Sequence, residues 1–128
     1  MNKKNLLISN LNLKKQINLL INSLKLKNDT FVHRDFHVSN MMYDKNEFGL
    51  IDTQDALIGN IAYDLASLVD DVRYKTSTNQ KNRMIDYYLK LNPKIELEKF
   101  KNDFAILSVL RNLKIIGIFT RLSFRKIF

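Results

Sequence analysis

The sequence predicts a mostly helical α+β domain, and three observations predict it. Four stretches carry apolar residues at helical spacing, three short β-prone runs cluster between Phe31 and Ile51, and one proline and three glycines punctuate the whole chain. Leu13, Ile17, Leu20, Ile21 and Leu24 form the first stripe. With Asn10 as a cap, they predict a helix from about Leu11 to Leu26, broken at Asn28-Asp29. Phe31-Val32 reads as a short strand entering His33. Met41-Met42-Tyr43 and Phe48-Gly49-Leu50-Ile51 read as a hairpin turning at Asp44-Lys45-Asn46-Glu47. A loop containing Gly59 follows. Leu65, Leu68, Val69 and Val72 mark a second helix from near Ala62, and Met84, Tyr87, Tyr88 and Leu91 a third, ended by Pro93. Between them, the stretch from Tyr74 to Asn82 is the most linker-like. Leu97, Phe100, Phe104 and Leu107 open a last helix that runs to Ile116, with Gly117 as its expected stop.

A chain of 128 residues is one domain or part of one. At 45% apolar and 27% charged it has globular composition, which excludes collagen-like and disordered classes. The absence of cysteine rules out disulfides, thiolate zinc sites and a thiol nucleophile. No apolar run has the length of a membrane span, since Arg111 and Lys114 close off the greasiest stretch, Phe104 to Leu110. The start also lacks a signal-peptide core, because Ser9-Asn10 and Asn12 interrupt it. The expectation is a cytoplasmic protein without membrane contact.

A net charge of +8 invites a nucleic-acid reading, but its distribution points elsewhere. Nine of the thirteen acidic residues lie between Asp29 and Asp71, where Arg34 and Lys45 are the sole basic ones. Lysines are scattered over the flanks without a stripe, and no nucleic-acid-binding motif is present. Concentrated carboxylates repel unless a cation or partner offsets them. Chemistry is therefore expected at the centre.

There, His33-Arg34-Asp35-Phe36-His37-Val38-Ser39-Asn40 reads H-R-D-x-x-x-x-N, the catalytic-loop pattern of kinases. Phosphoryl transfer to a hydroxyl needs a carboxylate near the acceptor proton and separate oxygen ligands for Mg²⁺. Asp35 would accept the proton or orient the hydroxyl. Asn40, at the far end of the same loop, would offer its amide oxygen to a hard cation. A second carboxylate should arrive from a neighbouring strand, and Asp52 does so at the end of Leu50-Ile51.

From Phe31 to Tyr74 the chain resembles the aminoglycoside phosphotransferase/choline kinase family, which shares the protein-kinase-like fold. Within that family it is most similar to bacterial kinases that phosphorylate N-acetylmuramate and N-acetylglucosamine at the anomeric hydroxyl. The residues carrying the likeness are His33-Arg34-Asp35-Phe36-His37 with Asn40-Met41-Met42, and Ile51-Asp52-Thr53-Gln54-Asp55-Ala56 with Gly59. Tyr63-Asp64-Leu65-Ala66-Ser67-Leu68 with Asp71 and Arg73 extends it, and Arg111 to Phe119 with Arg121-Leu122 resembles a helix near the end of those kinases. Two departures are Thr53, where those kinases commonly carry an aromatic residue, and Asn60, where proline is usual.

The resemblance implies a C-terminal kinase lobe whose small β-hairpin carries the catalytic and metal loops. It implies ATP as phosphate donor, Mg²⁺ as cofactor and an amino sugar as the small-molecule substrate. Asp35 would be the catalytic base, Asn40 and Asp52 the magnesium ligands, and Asp64 an architectural acceptor for the catalytic-loop backbone. His33 and Arg34 would support that loop. His37 would either contact substrate or pack. Gln54 and Asp55 would either face the sugar or, for Asp55, fix its own loop. Arg111 would line the acceptor pocket or lie at the surface. No glycine-rich phosphate loop or strand lysine precedes Phe31, so residues 1–128 are expected to be a partial domain. The N-terminal nucleotide lobe and the extreme C-terminus would then be missing, and the chain alone inactive. The alternatives are a split or inactive kinase remnant acting as a binding module and, third, a basic nucleic-acid-binding protein.

Overall fold

A computed structural model describes residues 3–125. Its elements run α1 (Lys3–Asn22), β1 (Asn28–Val32), β2 (Met41–Asp44), β3 (Glu47–Leu50), β4 (Leu57–Asn60), α2 (Tyr63–Val69), α3 (Thr78–Leu91) and α4 (Leu97–Arg125). Two antiparallel ribbons form, β1 with β4 and β2 with β3. The mostly helical α+β class is as expected; several boundaries are not.

The core lies between α2 and α4. Ala62, Leu65, Ala66 and Val69 pack against Phe100 and Leu107. Phe100 is fully buried, with ring centroids 5.8 Å from Tyr88 and 6.0 Å from Phe104. Truncating a buried aromatic of this kind to alanine costs about 3–5 kcal/mol. Met84, Ile85 and Leu89 of α3 close the same cluster from the side. Leu65 and Val69 of the second stripe and Phe100 and Leu107 of the last are buried, whereas Leu13 and Ile21 of the first stripe and Tyr87 and Leu91 of the third stay exposed.

Where the sequence predicts a loop, β4 forms. Four residues with a glycine show no alternation to read, yet Leu57–Asn60 pairs along β1 from Val32↔Leu57 to Asn28↔Asn60, with one irregularity between Asn28 and Thr30. Gly59 is needed there, since a Cβ would stand 3.2 Å from Val32 Cγ2 and 3.1 Å from Leu57 Cδ1. The β2–β3 hairpin pairs Met41↔Leu50 through Asp44↔Glu47. Its two turn residues, Lys45 and Asn46, both have positive φ, 45° and 68°, as a tight two-residue turn requires. The Tyr43 hydroxyl donates to Asn46 Oδ1 at 2.9 Å and steadies the turn.

Ends of three helices also differ from expectation. α1 runs through Asn10 and stops at Asn22, because the Asp103 carboxylate of α4 draws in the N–H groups of Lys25 and Leu26, both at 2.8 Å. A long-range acceptor thus removes the expected last turn. α3 starts inside the predicted linker, where Ser77 and Gln80 form a reciprocal capping box. α4 passes straight through Gly117, which keeps an ordinary negative φ and has open space beside it. One glycine costs a helix about 1 kcal/mol and does not end it without a left-handed turn.

Candidate active site

The segment between β1 and β2 is held from below by α2. Asp64, in the first turn of α2, accepts hydrogen bonds from His33 N at 2.7 Å and Arg34 N at 3.0 Å. Arg34 has φ of 71°, a left-handed conformation that non-glycine residues rarely keep without outside support. The two hydrogen bonds give that support. Burial pushes the Asp64 carboxyl above its ordinary pKa, and the two N–H donors pull part of the way back.

A second tie joins this segment to the residues after β3. Ile51 N donates to the Asn40 carbonyl at 3.1 Å, while the Ile51 carbonyl is met by His33 Nε2 at 3.0 Å. A carbonyl can only accept, so His33 carries its proton on Nε2. His33 is completely buried and packs edge-on to Phe36, with centroids 6.1 Å apart. It braces two loops. Asn40 and Asp52 consequently flank the open end of the hairpin.

Asp35 is exposed, its carboxylate 58% open to solvent and 3.6 Å from Nε2 of the buried His37. Asn40 is buried, and its Nδ2 donates to the Asp35 carbonyl at 2.9 Å and lies 3.3 Å from His37 Nε2. With Nδ2 engaged inside the loop, Oδ1 has no partner among the described hydrogen bonds. Asp52 sits at φ of 68°, exposed, with no side-chain hydrogen bond to the turn it begins. One amide oxygen and one carboxylate suit a hard cation that keeps several waters and takes further ligands from a bound phosphate. Among the described residues no group of three or more His, Cys, Asp or Glu side chains could hold a metal by itself.

Beside Asp35 is a cavity of about 210 Å³ walled by Val72, Arg73, Arg111, Ile115, Ile118 and Phe119. Of the candidate substrate contacts, Arg111 lines it. His37, Gln54 and Asp55 do not; the Asp55 carbonyl instead accepts from Arg34 at 3.3 Å. Arg73 bonds Asp71 Oδ1 through both its backbone N–H and Nε, at 3.0 Å each. Burial raises the Asp71 pKa, but these donors and the nearby positive charge of Arg73 more than reverse it, leaving it below the ordinary value.

Phe119 and Ser67 escaped functional reading from sequence. Phe119 is one more apolar position on a helix, and Ser67 lies inside a motif with no partner visible nearby in sequence. Its hydroxyl accepts from Arg111 Nε at 2.7 Å, across 44 residues.

A model of the phosphotransferase enzyme family matches residues 9–101. The chain is 36% identical over 115 residues to an N-acetylmuramate/N-acetylglucosamine kinase of Neisseria meningitidis serogroup B, covering 85% of this chain and 34% of that protein. It is 32% identical over 120 residues to the protein of that name from Pseudomonas aeruginosa, covering 88% and 35%. A third relative of the same name, from Caulobacter vibrioides, is 32% identical over 100 residues, covering 74% and 28%. The chain spans about a third of the length of the curated relatives it matches.

Proposed function

The chain belongs to the phosphotransferase enzyme family, and from that premise we propose that it is the catalytic lobe of an ATP-dependent sugar kinase. Its acceptor is a hydroxyl of an amino sugar, N-acetylmuramate or N-acetylglucosamine, by the names its relatives carry. A nucleotide-binding lobe completes the site, and the reaction runs in the cytoplasm, where ATP is supplied. The reading rests on one observation above others: the Ile51 peptide is gripped on one side by Asn40 and on the other by His33. That grip holds the Asp35 loop and the Asp52 loop side by side.

Magnesium, when bound by Asn40 and Asp52, neutralises phosphate charge. The remaining work falls to the chain. Asp35 orients the sugar hydroxyl and receives its proton as that oxygen bonds to the γ-phosphorus of ATP. The bond from phosphorus to the bridging oxygen breaks, and ADP leaves. Such transfers demand positioning more than covalent chemistry. Asp64, His33 and Arg34 supply positioning through the backbone of the loop. Asp35→Asn in the complete gene product should cut turnover by roughly a thousandfold or more with nucleotide affinity retained. Near-normal turnover removes Asp35 from the role.

A non-catalytic lobe that binds a partner is the second reading. Exposed Phe31, Ile58, Met42 and Phe48 on the two ribbons favour it, since apolar groups so placed call for a cover. Phosphoryl transfer to any sugar by the complete gene product excludes it.

A further inference from the structure

Arg111 is a buried cation, 7% exposed, with neutral partners. Its Nε donates to the Ser67 hydroxyl at 2.7 Å and a terminal nitrogen donates to the Asp70 carbonyl at 3.1 Å. Neighbouring carboxylates are taken: Asp70 pairs with Lys81, and Asp71 with Arg73. Among the described residues none stands within ion-pair distance of Arg111. An uncompensated charge in the interior is costly, and the cost falls when an anion meets it.

Arg111 and the reacting loop share a wall in the cavity beside Asp35. Neither Asn40 nor Asp52 lines that cavity. On the sugar-kinase reading it is the acceptor's side of Asp35, since the residues assigned to the metal do not line it. Its charged groups are two guanidiniums and one carboxylate, and Arg73 is already shared with Asp71.

We infer that Arg111 receives a carboxylate carried by the phosphoryl acceptor, so that the site favours an acidic amino sugar over its neutral counterpart. The inference rests on the sugar-kinase reading and names what that site selects. A guanidinium has five N–H donors in a planar fork that fits a carboxylate, and terminal donors remain after Ser67 and Asp70 are served. Phe119 and Ile115 offer apolar surface to the C–H face of a sugar ring. N-acetylmuramate has such a carboxylate on its ether side chain; N-acetylglucosamine has a plain hydroxyl there.

The test compares kcat/KM for the two sugars at saturating ATP, using the complete gene product and its Arg111→Gln variant. The acid-to-neutral ratio should fall about tenfold or more, as expected for a lost charge-assisted hydrogen bond, with the change mainly in KM for the acid. A merely structural Arg111 lowers both sugars alike; a ratio unchanged within about twofold overturns the inference. A rise in the KM for ATP, equal with either sugar, also overturns it, by assigning Arg111 to the donor phosphates. Should the variant fail to fold, the unaltered enzyme is given N-acetylmuramate and its methyl ester. Preference for the acid by about tenfold supports the inference, and equal use overturns it. Failure of the unaltered enzyme to phosphorylate either sugar is a different result, which removes the sugar-kinase reading itself and this inference with it.

Discussion

Asp103 and Asn60 stand 43 residues apart in sequence and 2.7 Å apart in the fold, the Asn60 amide donating to the buried carboxylate. The same carboxylate accepts from Lys25 N, Leu26 N and the Asn102 side chain, so it joins α4 to the end of α1 and the end of β4. Asn60 returns a bond of its own, its Oδ1 accepting from Ala62 N at 3.0 Å ahead of α2.

Asp103→Ala should destabilise the fold by about 3 kcal/mol or more, because four donors on three segments lose one acceptor. Asn60→Ala should cost about 1–2 kcal/mol. Urea unfolding of both single variants and the double variant should give a coupling of about 1 kcal/mol or more, since the two side chains share one bond. Simple additivity would show that the bond carries no energy of its own.

Acid should unfold the protein in a manner traceable to Asp103 and Asp71. Burial alone would raise both pKa values, but at Asp103 four donors reverse this, and at Asp71 those of Arg73 do. A carboxyl whose folded pKa lies below its unfolded value stabilises above the unfolded value. That stability is lost as pH falls through the folded one, so the decline is expected below about pH 4. Asp64, raised by burial, contributes with the opposite sign and softens the decline. Unfolding free energy followed against pH should flatten in Asp103→Asn. An unchanged slope would remove Asp103 as its source.

Asp64→Asn leaves an amide oxygen for one of the two loop N–H groups and turns an NH₂ toward the other. Loss of a charge-assisted bond at this point should lower kcat roughly tenfold to a hundredfold, with a smaller effect on KM. Steady-state kinetics on the complete gene product reads the split, and thermal unfolding run in parallel separates misplacement from unfolding. A KM effect alone would show that Asp64 does not position the reacting loop.

Two glycines should respond to alanine in opposite directions. At Gly117 the added methyl meets open space within a helix, and stability should rise by about 0.5–1 kcal/mol. At Gly59 the methyl presses on Val32, and stability should fall by about 1 kcal/mol or more. Melting temperatures of the two variants decide both.

α2 and α4 were legible because burial and spacing coincide along one segment. Leu65, Val69, Phe100 and Leu107 are core by pattern and core in the fold. The hairpin was legible through its turn, and the loop from His33 to Asn40 through its spacing. What the sequence hid depends on partners far away in the chain. α1 ends where Asp103 reaches the residues after it, β4 exists because β1 pairs with it, and the Asn60 amide finds its partner in Asp103. The cavity beside Asp35 joins residues from Asp35 to Phe119, and no local signal marks Arg111 as buried without a counter-charge. The Ser77–Gln80 capping box is the exception, a local signal that no apolar run adjoins.

Arg34 holds a backbone conformation that a residue with a side chain abandons when it can. Nothing local keeps it there; the support comes from Asp64, thirty positions downstream. The chain must therefore collapse α2 onto α4 before this stretch can take its working shape. On the sugar-kinase reading, phosphoryl transfer by the complete gene product should return after the helical signal during refolding, and loosening α2 should abolish it before global melting.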